Sequence, residues 1–167
     1  VPPIYKLLSS IPWKDLYNGI PTTIHGDLHF DNTIFRKKNS FFKLIDWRDN
    51  FANNRKYGDL YYDLSKMYGG IEMNYDYIKK GKFSFVKIKN QVKYSFSSRK
   101  KLMKKIDATF NKYIAKKKLS IFKIKLLKSI IFLNMSPLHE YPFDKLLFYH
   151  SKLSLYKLLK SNGTFSK

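Results

Sequence analysis

The sequence predicts an α+β fold that is mostly helical, on three observations. Apolar residues recur at helical spacing over residues 99–118 and 143–159, with a more uniformly apolar run over 119–134 between them. Two short β-prone runs, Thr33–Arg36 and Phe41–Ile45, flank the polar turn Lys37-Lys38-Asn39-Ser40 and read as one hairpin. Leu60, Asp63, Leu64 and Met67 fall at i, i+3, i+4 and i+7 behind Asp59, which suits a helix N-cap.

The bulk composition narrows the function classes. At 167 residues with 44 % apolar content, the chain is one domain or one lobe with enough apolar material for a core. It has no cysteine, which excludes disulfides, thiolate zinc sites and cysteine nucleophiles. No apolar run approaches the ~20 residues that span a bilayer, and no signal-peptide core opens the chain, so a cytoplasmic location is expected.

The net charge of +21 points toward anionic partners, but its distribution matters more. Between Lys79 and Lys128, seventeen lysines and Arg99 stand against one acid, Asp107, a net of +17 that leaves +4 for the rest. Arginine, the usual reader of base edges and phosphates, occurs only four times. A lysine excess of this kind reads first as a solvated basic face, and second as a site for an anionic ligand or surface.

In chain order, residues 1–22 form a proline-rich leading segment with one helical turn near Trp13–Asn18, closed by Gly19 and Pro21. Thr22–Ile24 is expected to be a short strand. Residues 23–70 form the chemical core. There His25, Asp27, His29, Asp31 and Asn32 fall within eight positions, between apolar flanks. Ionisable groups crowded between apolar runs cost stability, so a chain that keeps them is expected to use them. The hairpin places its outer ends side by side, which makes neighbours of Asn32 and Asp46. Both offer oxygen to a hard cation such as Mg²⁺. Residues 48–56 read as a polar loop. The helix behind Asp59 turns Asp63 inward and is expected to end at Gly69-Gly70. Residues 71–167 form a basic helical subdomain, with a strand at Ser84–Lys89 and a break at Ser136-Pro137.

His25-Gly26-Asp27-Leu28-His29-Phe30-Asp31-Asn32 resembles the H-G-D-x-x-x-x-N loop of the aminoglycoside phosphotransferase and choline kinase-like family, a branch of the protein-kinase-like fold. Ile45-Asp46-Trp47 is similar to that family's counterpart of the kinase D-F-G segment, and Tyr57–Leu64 resembles its G-D-x-x-x-D-L helix. The resemblance implies a kinase-like C-terminal lobe that moves the γ-phosphoryl of ATP to a hydroxyl acceptor such as a sugar, an amino alcohol or a glycan precursor. By the same resemblance Asp27 is the catalytic base or orienter, Asn32 and Asp46 hold Mg²⁺, His25 braces the loop, and Asp63 ties the helix back to it. His29 and Asp49 are further candidates for substrate or supporting contacts. The acceptor side falls in residues 71–167.

The resemblance covers roughly residues 20–160. Only 24 residues precede His25, and none of the seven glycines makes a G-x-G. The expectation is a C-terminal lobe without its nucleotide lid, with residues 1–22 as the remnant of a linker and little turnover by the chain alone.

Two rival readings remain. A metal-dependent hydrolase would use His25, Asp27, His29 and Asp46. A non-catalytic basic module would bind nucleic acid or an anionic surface through residues 79–128, where Phe83, Phe85, Tyr94 and Phe96 interleave with lysines. The remaining polar groups read as structural: Asp31 as a loop cap, and His139, Glu140 and Asp144 as a late cluster among aromatics. Phe30, Trp47, Tyr61 and Tyr62 read as core.

Overall fold

The computed structural model describes residues 1–51 and 53–165. The chain is α+β and mostly helical. Two short helices, α1 (Ile4–Ser9) and α2 (Trp13–Tyr17), lead into β1 (Pro21–Thr22). The hairpin of β2 (Thr33–Arg36) and β3 (Phe41–Leu44) follows, then β4 (Gly58–Asp59), α3 (Leu60–Glu72) and α4 (Tyr75–Lys79). A second hairpin, β5 (Phe83–Ile88) and β6 (Gln91–Phe96), precedes α5 (Lys100–Lys116), α6 (Ile121–Met135) and α7 (Phe143–Ser161). The sheets are three separate antiparallel pairs, β1–β4, β2–β3 and β5–β6.

Helix α3 is the centre of the molecule. Asp59 caps it by accepting from the Tyr61 amide at 3.0 Å, and Tyr61, Leu64 and Ile71 are buried against Phe110 and Ile114 of α5 and Ile124 of α6. The Ser65 hydroxyl donates to the Ile124 carbonyl at 3.0 Å, joining α3 to α6 by a polar link inside the apolar contact. A second cluster packs Leu7 and Ile11 against Leu126, Leu155 and Leu159, and a third gathers Met73, Ile78, Phe132, Leu146 and Leu147.

Several sequence expectations need correcting. The leading segment is more helical than predicted, because Leu7 is fully buried in the α6–α7 cluster and draws α1 onto the core. β1 covers only Pro21–Thr22, leaving Thr23 and Ile24 outside it. Gly69 and Gly70 do not end α3, which continues to Glu72. Their role is close approach, since a Cβ at Gly69 would lie 3.0 Å from the Phe132 ring and one at Gly70 would lie 3.1 Å from Phe30. Phe30 and Trp47 are exposed rather than core. So is the aromatic side of the first hairpin, where the Phe35 and Phe42 rings meet at 5.0 Å and are 50 % and 66 % exposed.

Candidate functional site

The loop from His25 to Asn32 is closed by a ring of four hydrogen bonds. The Asp27 amide donates to His25 Nδ1 at 3.2 Å, so the imidazole proton belongs on Nε2, which donates to the Ile45 carbonyl at 2.7 Å. The Ile45 amide in turn donates to the Asn32 carbonyl at 3.1 Å, and Asn32 Nδ2 donates to the Asp27 carbonyl at 3.0 Å. Asp46 follows Ile45 directly. The hairpin register, with Thr33 opposite Leu44, places these two ends together. One circuit therefore joins the backbones that carry Asp27, Asn32 and Asp46.

His25 is fully committed to this circuit. It is 2 % exposed, and the Trp47 ring covers it with centroids 4.8 Å apart. With both ring nitrogens bonded to backbone it cannot ligate a metal, which removes the key ligand of the hydrolase reading.

Helix α3 grips the loop from beneath. Asp63, buried on the inward face of α3, accepts from the His25 amide at 2.7 Å and from the Gly26 amide at 2.9 Å. Gly26 has φ +80°, and a Cβ there would lie 2.8 Å from Arg48 Cβ, so glycine is needed both for the turn and for the passage of Arg48.

One turn further along α3, Lys66 rises into the site. Its Nζ lies 2.7 Å from Asp27 Oδ1, while His29 Nε2 lies 3.5 Å from Asp27 Oδ2. Burial pushes the Asp27 carboxyl up, but the hydrogen bond and charge of Lys66 outweigh it, helped by His29 and Arg48. The net direction is below the usual carboxylate value, so Asp27 is ionised at neutral pH. His29 Nδ1 is buried without a hydrogen-bond partner among the described residues.

These groups open onto a cleft of about 770 Å³, within the range of small-molecule pockets. Asp27, Asp31 and Glu140 contribute three carboxylates to its lining, against three cations from Arg48, Lys66 and Lys79. Of the seventeen lysines in the basic segment only Lys79 reaches this cleft, where it pairs with Asp31 at 2.6 Å. The cleft is thus charge-balanced despite the basic chain around it.

The structure does not bring every candidate together. Asp49 is exposed and does not line the cleft. Asp46 is exposed and takes a left-handed backbone, φ 59°, which Asp tolerates better than most residues. Asp31 serves as a partner for Lys79 rather than as a loop cap. His139 and Glu140, read from the sequence as structural, line the cleft, as does Tyr75, whose ring meets that of His29 at 5.9 Å. Sequence reasoning also missed Lys66; its only signal was the i, i+3 spacing from Asp63, which puts both on one helix face.

A hard cation fits the donors present. The Asn32 side chain enters the circuit through its amide nitrogen; among the described residues its Oδ1 carries no hydrogen bond, and the exposed Asp46 carboxylate has no ion-pair partner. Both are oxygen donors of the kind that Mg²⁺ takes. Comparison of the chain with protein-family models, with curated proteins and with solved structures gives no match. Among the described residues, no helix is long and apolar enough to cross a membrane.

Proposed function

We propose that this chain carries the catalytic and metal-binding loops of an ATP-dependent kinase of small molecules, in a protein-kinase-like lobe, with a hydroxyl group as acceptor. The observation that carries the reading is the hydrogen-bond circuit through His25, Ile45, Asn32 and Asp27. It holds a carboxylate, an amide oxygen and a second carboxylate on adjoining backbone. Phosphoryl transfer asks a protein mainly for positioning and charge neutralisation, and this set supplies both.

In this scheme Asn32 and Asp46 hold Mg²⁺, which when bound neutralises charge on the phosphates of ATP. Asp27 receives the hydrogen bond of the acceptor hydroxyl. Its lowered pKa makes it an ionised orienter, and the proton passes to it late, as the developing phosphate ester withdraws electrons from the attacking oxygen. Lys66 pairs with Oδ1, and in this scheme Oδ2, 3.5 Å from His29 Nε2, takes the acceptor hydroxyl. Asp63 fixes the height of the loop above α3. The balanced cleft suits an acceptor that is neutral or singly charged, because three carboxylates offset three cations.

Nucleotide-dependent Mn²⁺ binding, followed by water proton relaxation, tests the scheme. In the presence of ATP the chain is expected to bind Mn²⁺, Asn32→Ala and Asp46→Ala to lose most of that binding, and Asp49→Ala to keep it. Where a hydroxyl acceptor is turned over, Asp27→Asn is expected to lower the rate by about 10³-fold or more. Mn²⁺ binding indifferent to Asn32 and Asp46 would sink the proposal.

A further inference from the structure

A second cleft shares no residue with the one at Asp27. Helices α3, α5, α6 and α7 flank an open groove of about 670 Å³, and five lysines line it: Lys100 and Lys104 from α5, Lys125 and Lys128 from α6, and Lys157 from α7. Only two carboxylates, Glu72 and Asp107, stand among them, leaving a local net charge of +3.

The five cations are not equivalent. Lys128 is 3 % exposed and committed to Glu72, so it belongs to the floor. Asp107 is occupied by the Asn111 side chain at 3.0 Å. That leaves Lys100, Lys104, Lys125 and Lys157, none of which has a carboxylate within ion-pair distance among the described residues. Lys125 rests over the Tyr68 ring at 5.6 Å, which fixes its direction without neutralising it. Four unpaired ammonium groups around a concave surface repel one another, and the low-dielectric walls focus their field into the groove.

The other lining groups say what kind of anion would relieve this. Ser98 and Ser154 add hydroxyl-bearing side chains to the lining, while the Ser161 hydroxyl donates to the Leu158 carbonyl at 2.9 Å. Ile71, Met103 and Leu158 supply an apolar surface beside the cations. A bare inorganic ion would leave that surface wet. Lysine binds phosphate as a point charge, several at once, and does not need the planar fork that carboxylate recognition by arginine uses. The volume lies in the small-molecule range.

We propose that the groove between α5 and α7 is a binding site for a small organic phosphate. Its phosphate lies among Lys100, Lys104, Lys125 and Lys157, and its apolar body lies on Ile71, Met103 and Leu158. The site is separate from Asp27 and does not depend on the phosphotransfer reading.

Calorimetric titration of the whole chain with 1-naphthyl phosphate near physiological salt tests it. Saturable one-site binding is expected, displaced by tripolyphosphate and about tenfold or more weaker in the variant Lys104→Gln/Lys157→Gln. Both substituted lysines are exposed, on opposite walls of the groove. Lys101→Gln/Lys105→Gln removes the same amount of charge, from two α5 positions outside the groove, and is expected to bind as wild type; so is Asp27→Asn. The single variant Lys157→Gln, read alongside its thermal unfolding, separates lost binding from lost folding. Four results overturn the proposal: no saturable binding, equal weakening by both double variants, equal binding of phosphate-free 1-naphthol, or displacement by a single-stranded RNA oligonucleotide that binds equally well to Lys104→Gln/Lys157→Gln. The last would favour a diffuse nucleic-acid surface over residues 79–128 in place of a built groove.

Discussion

Lys66 holds Asp27 at 2.7 Å from the same helix face on which Asp63 holds the two amides preceding Asp27. Two residues three apart on α3 thus control both the position and the charge state of the candidate catalytic carboxylate. Helix and loop act as one unit, and changes on α3 are expected to be read out at Asp27.

The first expected outcome concerns charge. Lys66 supplies the strongest influence lowering the Asp27 carboxyl, against burial that raises it. In Lys66→Met the Asp27 titration, followed by carboxyl ¹³C shifts, is expected to move upward. The stability consequence has a definite sign. A depressed carboxyl stabilises the fold above its unfolded value near 3.8 and loses that contribution as the pH falls through the folded value. Wild type is therefore expected to lose this contribution in acid, and Lys66→Met to lose less.

Asp63 gives a test of position. It satisfies two buried backbone amides, and Asp63→Asn can accept from only one while its own NH₂ faces the other. Denaturant unfolding is expected to show a loss of about 1–3 kcal/mol. Amide exchange at His25 and Gly26 is expected to rise more than exchange in α6, because the released groups are in the loop.

Gly26→Ala combines two penalties, a backbone at φ +80° and a Cβ 2.8 Å from Arg48 Cβ. A cost of about 1–3 kcal/mol is expected. The variant Gly26→Ala/Arg48→Gly removes the collision and leaves the backbone strain, so it is expected to recover part of the loss and not all.

Glu72 supplies the acid-stability prediction. Burial would raise its carboxyl, but the hydrogen bond from His150 and the charge of Lys128 pull it down to about 2. Its contribution is complete above the unfolded value near 4.5 and disappears as the pH falls toward about 2. Glu72→Gln strands Lys128, which is almost fully buried, and is expected to cost about 3 kcal/mol at neutral pH. Adding Lys128→Met is expected to restore most of it, and both variants should flatten the acid limb of a stability-versus-pH curve.

Much of the fold was legible because periodicity reports burial. The 3.6-residue pattern located α3, α5 and α7 and placed Asp63 on the inward face, while a uniformly apolar run located α6. The β2–β3 register likewise follows from two apolar runs around a polar turn. What escaped was set by contacts distant in sequence. Helix α1 exists because Leu7 finds α6 and α7, and the glycines within α3 exist because Phe30 and Phe132 arrive there. Of the second hairpin only β5 was anticipated, as a strand at Ser84–Lys89; β6 escaped because lysines and serines between its aromatics read equally as a basic loop. Lys66 carried the strongest false signal: a lysine reads as surface, and only the fold shows that its ammonium is buried beside Asp27. His139 and Glu140 share a cleft with the loop from more than a hundred residues away, a separation no local pattern spans.

The aromatic face of the first hairpin has a practical consequence for handling the protein. Phe35 and Phe42 lie open to water on molecules that each carry +21. At low ionic strength mutual repulsion keeps such faces apart, and added salt shortens its reach to within a few ångströms of the surface. The chain is therefore expected to be colloidally stable in dilute buffer and to self-associate as salt rises, the reverse of a protein held together by surface ion pairs.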